Sequence, residues 1–490
     1  MRLSELLHGL GREILGTGDP EVRGVAHDSR TVEPGDLYMA LVGQRFDGRE
    51  FAKDAVAKGA VAVAGPRPSV PQDPDVPWVV AEEPRRLLGP LAARTYGHPD
   101  RELTLAAVTG TNGKSTVATL LAAVLDAAGR PAGFIGTLGY RFGGRVFPGG
   151  HTTPEASDLF RTLRRMREAG AEAVAMEVSS HALEMGRVAG AQFDLAVFTN
   201  LSRDHLDYHP DMESYFAAKR RLFDLLKPGA RAAVNLDDPW GRRLAAELPD
   251  ALTFGAGGDV EAQDVRLDST GIRGTIRTPR GEVRLATHLL GRYNLANLLA
   301  AAAGAEVLGL PHAAVEQAFA AQRPVPGRME PVDRGQPFAV FVDYAHTDAA
   351  LDAALRSTRE MAGIEKVAVV FGCGGERDTG KRPLMGRVAG ELADLPVATS
   401  DNPRGEDPHA ILAAVEEGLA ASGNRTYRIV PDRREAIRQA IAAAGPGWAV
   451  LVAGKGHERE QILGDRKIPF SDFDEIEKAL EELFGSTVHR

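Results

Sequence analysis

The chain alternates between two spacings of apolar residues. LTLAAV (103–108), AVAMEVSS (173–180) and DLAVFTN (194–200) are short, mostly apolar runs that predict strands. VATLLAAVLDAAGR (117–130) instead repeats its apolar side chains at Val117, Leu120, Leu121, Val124, Leu125 and Ala128, the 3.6-residue spacing of a helix that ends at Gly129. DMESYFAAKRRLFDLL (211–226) has the same period through Tyr215, Phe216, Leu222, Phe223 and Leu226. Lys219, four after Tyr215 and three before Leu222, falls on that apolar stripe.

These patterns divide the chain into three unlike units. Residues 1–98 hold strand-like runs (VRGVAHDS, DLYMALVG, AVAVAG, WVVAEE) and a proline-rich piece, 65–78, that predicts a surface loop. Ser29, Arg30, Gln44, Asp47 and Gly48 lie on its loops, where turn chemistry and a ligand site are both open readings. Residues 99–327 alternate strands with helices. Between 251 and 290, pieces such as GIRGTIRTP and GEVRLATHLL predict an antiparallel excursion, after which GRYNLANLLAAAAGAEVLG begins a helix with Asn294 and Asn297 near its start. QRPVPGRMEPV (322–332) reads as a linker. Residues 328–490 give five strand-like runs (FAVFVDY, KVAVVFG, LPVATS, TYRIV, WAVLVAG) separated by helical patterns, which predicts a parallel sheet. The fold class is therefore α/β in three domains.

Candidate chemistry gathers at the strand ends. GTNGKST (110–116) lies between a strand and an amphipathic helix, so Gly110, Thr111, Asn112 and Gly113 can turn tightly and approach phosphate oxygens. Lys114 adds a charge, and Ser115 or Thr116 can hold magnesium on a nucleotide. Val108 stands where the common phosphate loop has its first glycine. Glu177 closes one strand, and Asp204, His205, Asp207 and His209 follow another, where open parallel sheets bind ligands. Lys219 has two readings. It is a lysine snorkelling along the core edge, or a desolvated amine able to add carbon dioxide and become a metal-binding carbamate. In the third unit Asp343 and His346, Arg377 and Asp378, Asp401, Asn402 and Arg404, and Lys455, His457 and Glu458 all follow strands, which predicts a ligand crevice. Cys373 reads as a small packed residue beside a glycine turn.

Composition narrows the class. The 490 residues are 43% hydrophobic and 26% charged, with a net charge of −9, a soluble balance that disfavours general affinity for nucleic acid or anionic membrane. One cysteine forms no internal disulfide and no cysteine metal cluster, which suits a reducing cytoplasm. The N-terminus carries charges within any apolar segment, unlike a signal peptide, and no run reaches the roughly 18 apolar residues of a membrane span.

GTNGKST, TTPE (152–155), EVSSHAL (177–183), TNLSRDHLDYH (199–209), PGRME (326–330), DYAHT (343–347) and SDNPRGEDP (400–408) together resemble the Mur ligases, over nearly the whole length and in the family's order. The resemblance is to the branch that adds the third amino acid to the UDP-N-acetylmuramoyl peptide of bacterial cell-wall synthesis. It implies an N-terminal UDP-binding domain, a central P-loop-type ATPase domain and a C-terminal Rossmann-like domain carrying the amino acid. It implies ATP as substrate and Mg²⁺ as cofactor, held by Ser115 or Thr116 with Glu177, and by His205 with carbamylated Lys219. Asn294 would meet adenine, and Arg328, Asp343 and His346 the ribose and phosphates. Ser29, Thr152, Thr153, Ser179 and Arg187 would contact the UDP-muramoyl dipeptide. Arg377, Asp401, Asn402, Pro403, Arg404, Gly454 and Glu458 would surround the amino acid. The tetrad Asp401–Arg404 resembles the signature of members that add meso-diaminopimelate, whose distal carboxylate matches the fork of Arg404. Lysine-adding members, folylpolyglutamate-type ligases and a non-catalytic nucleotide-binding partner are the competing readings. A monomer acting on small molecules, with no nucleic-acid partner and no membrane insertion, is expected. Two positions depart from many relatives: Asp348 follows DYAHT where proline is common, and Met185 stands where some have glutamine.

Overall fold

The computed structural model describes residues 1–43, 46–68, 75–268 and 270–485. Gln44 and the middle of the proline-rich piece lie outside the described residues. The first domain is built on a five-stranded sheet in the order Ile14–Leu15, Trp78–Val80, Ala62–Gly65, Asp36–Met39, Gly24–Ala26. Only the edge pair Ile14–Leu15 with Trp78–Val80 is antiparallel. The two-residue edge strand carries too little pattern to be read from sequence.

The central sheet has the order Leu252–Phe254, Leu226–Asn235, Phe193–Phe198, Thr104–Thr109, Ala173–Glu177, Ala132–Gly136, Gly139–Phe142, Arg145–Phe147. It is parallel as far as Ala132–Gly136, and the last two strands fold back antiparallel. Thr104–Thr109 is central and buried along nearly its whole length, as the continuous apolar run requires. The following helix, Lys114–Ala127, buries Val117, Leu120, Leu121, Val124 and Leu125. Each contributes about 1.5–3 kcal/mol of transfer free energy. The antiparallel excursion is a three-stranded sheet, Glu261–Asp268, Gly271–Thr278 and Gly281–Thr287. Its Ile272, Ile276, Val283 and Leu285 join the core beneath the helix Arg292–Val307.

The helix expected over 211–226 is shorter than its periodicity. It runs from Met212 to Arg220, gives way to a tight turn at Phe223–Leu225, and the chain leaves as the strand Leu226–Asn235. Pairing with Phe193–Phe198 captures the last residues of the pattern.

The sheet of the third domain has the order Glu330–Pro331, Ala339–Asp343, Trp448–Ala453, Lys366–Phe371, Leu395–Ala398, Arg428–Ile429, parallel except for its first pair. That first strand comes from the expected linker. The first two domains are tightly fastened. A Cβ on Gly89, in the helix Pro84–Thr95, would lie 1.9 Å from the Ala189 carbonyl oxygen. Arg161 reaches from the central domain to Tyr96 Oη (2.9 Å) and the Val25 carbonyl (3.0 Å).

Candidate functional site

The candidate phosphate loop is held by the segment after the neighbouring strand. Thr111 N–H donates to the Asn200 carbonyl (2.8 Å), Asn112 N–H to Asn200 Oδ1 (2.9 Å), and Thr199 Oγ1 to the Asn112 carbonyl (2.6 Å). Glycine is required at Gly113, where φ is +86° and a Cβ would stand 2.3 Å from Asn297 Oδ1. Lys114 Nζ donates to the Gly110 and Thr111 carbonyls, both at 2.9 Å, so its ammonium curls over the loop at the start of the helix. Burial lowers its pKa, and nearby Glu177 opposes that shift.

Lys219 is buried, 1% exposed, and donates to the Gly110 carbonyl at 2.8 Å. Its nitrogen lies 4.5 Å from the centre of the Tyr215 ring. The snorkelling reading fails, because the nitrogen ends under the phosphate loop rather than in solvent. Burial, reinforced by the charge of Lys114, pushes its pKa well down and favours a neutral amine. His205 sits at φ +55°, with Nε2 3.4 Å from Asp204 Oδ2, and burial lowers its pKa to about 3. Glu177 accepts from Thr137 N–H (2.8 Å) and Thr137 Oγ1 (3.3 Å), and that hydroxyl lies 3.1 Å from Thr152 Oγ1.

A cavity of about 270 Å³ opens between the phosphate loop and the third domain. Asn112, Gly113, Thr116, Asn297, Arg328 and Asp343 are among the residues lining it. Arg328 stacks its guanidinium 4.6 Å from the Tyr344 ring centre and donates to Ser115 Oγ (3.3 Å). Asp343 is fixed by Tyr293 Oη (3.0 Å), Met329 N–H (2.7 Å) and Ala345 N–H (2.8 Å). Asn294 does not reach the cavity. It donates to the Leu290 carbonyl (2.8 Å) and accepts from Asn297 Nδ2 (3.0 Å), leaving Asn297 as the lining residue. The three-residue spacing near the helix start was the available signal, and only the tilt of the helix decides which asparagine faces inward. Thr199, Asn200 and Ser202 also line the cavity and were missed, because polar residues after a strand look like any turn.

The third domain meets the central one at this crevice. Arg203 grips Asp378 through two 3.1 Å bonds, His346 Nε2 lies 3.7 Å from Asp204 Oδ2, and Lys381 Nζ donates to the His346 carbonyl (2.8 Å). Asp348 opens the helix Asp348–Arg359 behind the cap of Thr347, whose side chain accepts from Ala350 N–H (3.2 Å). An acid in the first turn of a helix is favourable.

Arg404 does not line this cavity; its Nη1 donates to the Gly375 carbonyl (2.6 Å). Gly375 is three residues before Asp378, so Arg404 belongs to the same ridge. Asn402 accepts from the fully buried Lys455 (3.1 Å) and donates to Glu458 (3.0 Å), while Lys455 lies 3.7 Å from Asp401 and 3.0 Å from Glu458. Lys455 is thus the cation that balances two carboxylates. Gly454 follows the strand Trp448–Ala453 with φ +118°, and a Cβ there would stand 3.0 Å from Asp401 Oδ2. Pro403 is buried, and Arg377 is exposed and donates to the Glu376 carbonyl. Cys373 is buried, its thiol pushed up to about 12 by burial, which fits a packed residue.

Towards the first domain, Thr153 donates to the Glu177 carbonyl (3.0 Å) and accepts from Ser179 N–H (3.1 Å). The Ser179 side chain caps the short helix Ser180–Glu184. Arg187 Nε lies 3.0 Å from Glu155 Oε1, and Arg85 from the first domain takes Glu155 Oε2 at 2.9 Å. Met185 keeps its sulfur 3.5 Å from Arg187 Nη2. Ser29 is buried and its carbonyl accepts from Lys58 (3.0 Å).

Among the described residues, no three His, Cys, Asp or Glu side chains gather closely enough to hold a metal ion. Hydroxyl, carboxylate and imidazole donors at Ser115, Thr116, Glu177 and His205 suit magnesium only together with ligand oxygens. Lys219 as an amine is a donor and joins such a set only after conversion to a carboxylate. Among the described residues no helix is long and apolar enough to cross a membrane.

Three family models match the chain: "Mur ligase family, catalytic domain" over residues 21–96, "Mur ligase middle domain" over 108–305, and "Mur ligase, glutamate ligase domain" over 327–456. The chain is 44% identical to the UDP-N-acetylmuramoyl-L-alanyl-D-glutamate–2,6-diaminopimelate ligase of Geobacter metallireducens, covering 99% of each chain. It is 46% identical to the protein of the same name from Alkalilimnicola ehrlichii, covering 99% of this chain and 100% of that one. A solved structure of a protein of that name superposes with TM-score 0.68 at 33% identity, covering 99% of both chains. MurF from Thermotoga maritima shares the fold, with TM-score 0.68 at 20% identity over 96% of this chain and all of that one.

Proposed function

The chain belongs to the Mur ligase family, and from that premise we propose how its residues divide one ligation. The protein is an acid–amino-acid ligase that joins meso-diaminopimelate to UDP-N-acetylmuramoyl-L-alanyl-D-glutamate in peptidoglycan precursor synthesis, driven by ATP. The D-glutamyl carboxylate attacks the γ-phosphorus and ADP leaves, giving an acyl phosphate. The diaminopimelate amine attacks the acyl carbon and loses a proton, and phosphate departs with the electrons of the broken C–O bond.

Bringing a carboxylate to a triphosphate is the electrostatic difficulty. Gly110–Thr116 wrap the phosphates, and Lys114 swings from its loop carbonyls onto their oxygens. Ser115 or Thr116 with Glu177, and His205 with Lys219 as its carbamate, would hold magnesium, which would supply the remaining charge neutralisation. Asn297, its amide fixed by Asn294, faces the nucleotide, while Arg328, Asp343 and His346 hold ribose and phosphates from the third domain. Ser29, Thr152, Thr153, Ser179 and Arg187 receive the UDP-muramoyl dipeptide. Asp401, Asn402, Pro403, Gly454 and Glu458 receive the amino acid, with Arg377 at the exposed rim and Arg404 pairing the distal carboxylate. The domains divide at 1–98, 99–327 and 328–490. A monomer in the cytoplasm completes the reading, and a single buried thiol suits that reducing compartment.

The observation that supports this most is a chain of contacts that links Arg404 to the segment carrying His205, although Arg404 lies outside the cavity beside the glycine loop. The ridge that anchors Arg404 also carries Asp378, which grips Arg203 two residues before His205. Incubation with ATP, the UDP-muramoyl dipeptide and either meso-diaminopimelate or lysine tests it through phosphate release. An arginine fork left unpaired by lysine should give discrimination of about 100-fold or more. Equal or greater turnover with lysine defeats the substrate assignment, and no substrate-dependent phosphate release defeats catalysis altogether.

A further inference from the structure

Two loops that follow adjacent strands, Lys366–Phe371 and Leu395–Ala398, press together around Arg404. Each holds a non-glycine residue in the left-handed region, Glu376 at φ +54° and Arg404 at φ +53°. Neither conformation is favoured locally, so tertiary contacts hold them: the Arg404 backbone pairs with Ile462 (3.2 Å) and Gly464 (2.7 Å), and Glu376 is held from the facing loop. Arg404 Nη1 donates to the Gly375 carbonyl (2.6 Å), and Gly375 N–H donates to the Asn402 carbonyl (2.9 Å). A Cβ on Gly375 would stand 1.9 Å from the Pro403 carbonyl oxygen, so the backbones are in direct contact.

Glu406 is the stake between them. Its Oε1 accepts from the Glu376 N–H, and both its oxygens accept from Arg382 Nη2, at 3.0 and 2.8 Å. Arg382 is 5% exposed and lies in the first turn of the helix Lys381–Leu392, so it is a fixed post. The chain of contacts runs from the helix through Arg382 and Glu406 to the 374–376 backbone, and from there to the guanidinium of Arg404.

We infer that Glu406, clamped by Arg382, is a positioning residue that sets the aim of Arg404 and thereby the preference for an amino acid with a distal carboxylate. This rests on the assignment of Arg404 to that carboxylate. Glu406 itself touches no substrate. Without it the 374–376 loop loses the acceptor that holds Glu376 left-handed, and the Gly375 carbonyl no longer fixes one arm of the guanidinium fork. Binding of the amino acid should weaken most, because Glu406 contacts the 374–376 backbone and does not line the cavity beside the glycine loop.

Steady-state kinetics on the full chain test this with Glu406→Ala, Glu406→Gln, Arg404→Ala and the double variant Glu406→Ala with Arg404→Ala. Glu406→Ala should raise KM for meso-diaminopimelate about tenfold, leave KM for ATP and the UDP-muramoyl dipeptide within about twofold, and narrow the preference over lysine by the same tenfold. Glu406→Gln, which keeps an acceptor for Glu376 N–H, should recover most of the loss. In the Arg404→Ala background the further change at 406 should add nothing. An equal rise in all three KM values, or the same loss with and without Arg404, overturns the inference. Wild-type preference between the two amino acids tests the substrate assignment separately. Should the wild type prefer lysine, the non-additivity with Arg404 is read on lysine KM, and its absence there overturns the inference equally.

Discussion

Asp472→Asn should be severe although it changes one atom. Arg433 and Asp472 are wholly buried, joined by Nε to Oδ1 and Nη2 to Oδ2 bonds of 2.7 Å each, with Nη2 also donating to the Ala453 carbonyl at 2.9 Å. They begin the helices Arg433–Ala443 and Asp472–Phe484, so the pair sews two helix starts against the sheet. An asparagine there turns an amide donor towards a guanidinium that has only donors. Breaking a buried pair from one side costs about 3–5 kcal/mol, because the remaining charge is left without a counter-ion. A domain of roughly 160 residues has an unfolding entropy of about 0.34 kcal/mol/K, so its Tm should fall by about 9–15 °C. Differential scanning calorimetry at neutral pH reads this directly. Replacing both partners, with Arg433→Met and Asp472→Leu, should recover much of the loss, since no charge then stays buried. A drop below about 3 °C for Asp472→Asn would refute the reasoning, because the pair would then be relieved by solvent.

Three further outcomes follow from the site. Lys219→Ala should abolish ligation, and short-chain carboxylates should restore part of it; full activity in the variant would exclude a carbamate there. Gly113→Ala, at φ +86° with its Cβ 2.3 Å from Asn297 Oδ1, should raise KM for ATP at least about tenfold while leaving global stability within about 2 kcal/mol. An unchanged KM would mean that the loop relaxes freely. Burial and the nearby Arg328 lower His457 to about 4. Between that value and the ordinary 6.5 the unfolded chain binds the extra proton, so stability falls as pH drops through this window, by at most about 1.4 kcal/mol per unit. His457→Gln should flatten that part of the denaturation profile, and an unaltered slope would count against the shift.

Much of the site was legible because its signals are local. Gly110, Gly113 and Lys114 report a loop between a strand and a helix within a few residues, and period alone placed Lys219 on an inward stripe. The less legible parts depend on distant segments. Asn294 and Asn297 are equivalent on a helical wheel, and the packed neighbours Leu290 and Gly113 choose between them. Lys455 reads only as one of several polar residues after a strand, and the structure adds that it is fully buried between Asp401, Asn402 and Glu458. Glu406 carries no local signal of its own, and only the structure brings Arg382 and Glu376 to it.

Periodicity, turn chemistry and motif order were enough to determine three α/β domains, a glycine loop between a strand and a helix, and the family. Those features arise from backbone propensity and solvent exposure over a few residues, which any sequence displays openly. Only the tertiary structure decided that the amine of Lys219 ends 2.8 Å from a carbonyl 109 positions away, and that Arg203 closes on Asp378 across 175. Contacts at such separations depend on the path of three sheets and the angle between domains, and no local pattern encodes that angle.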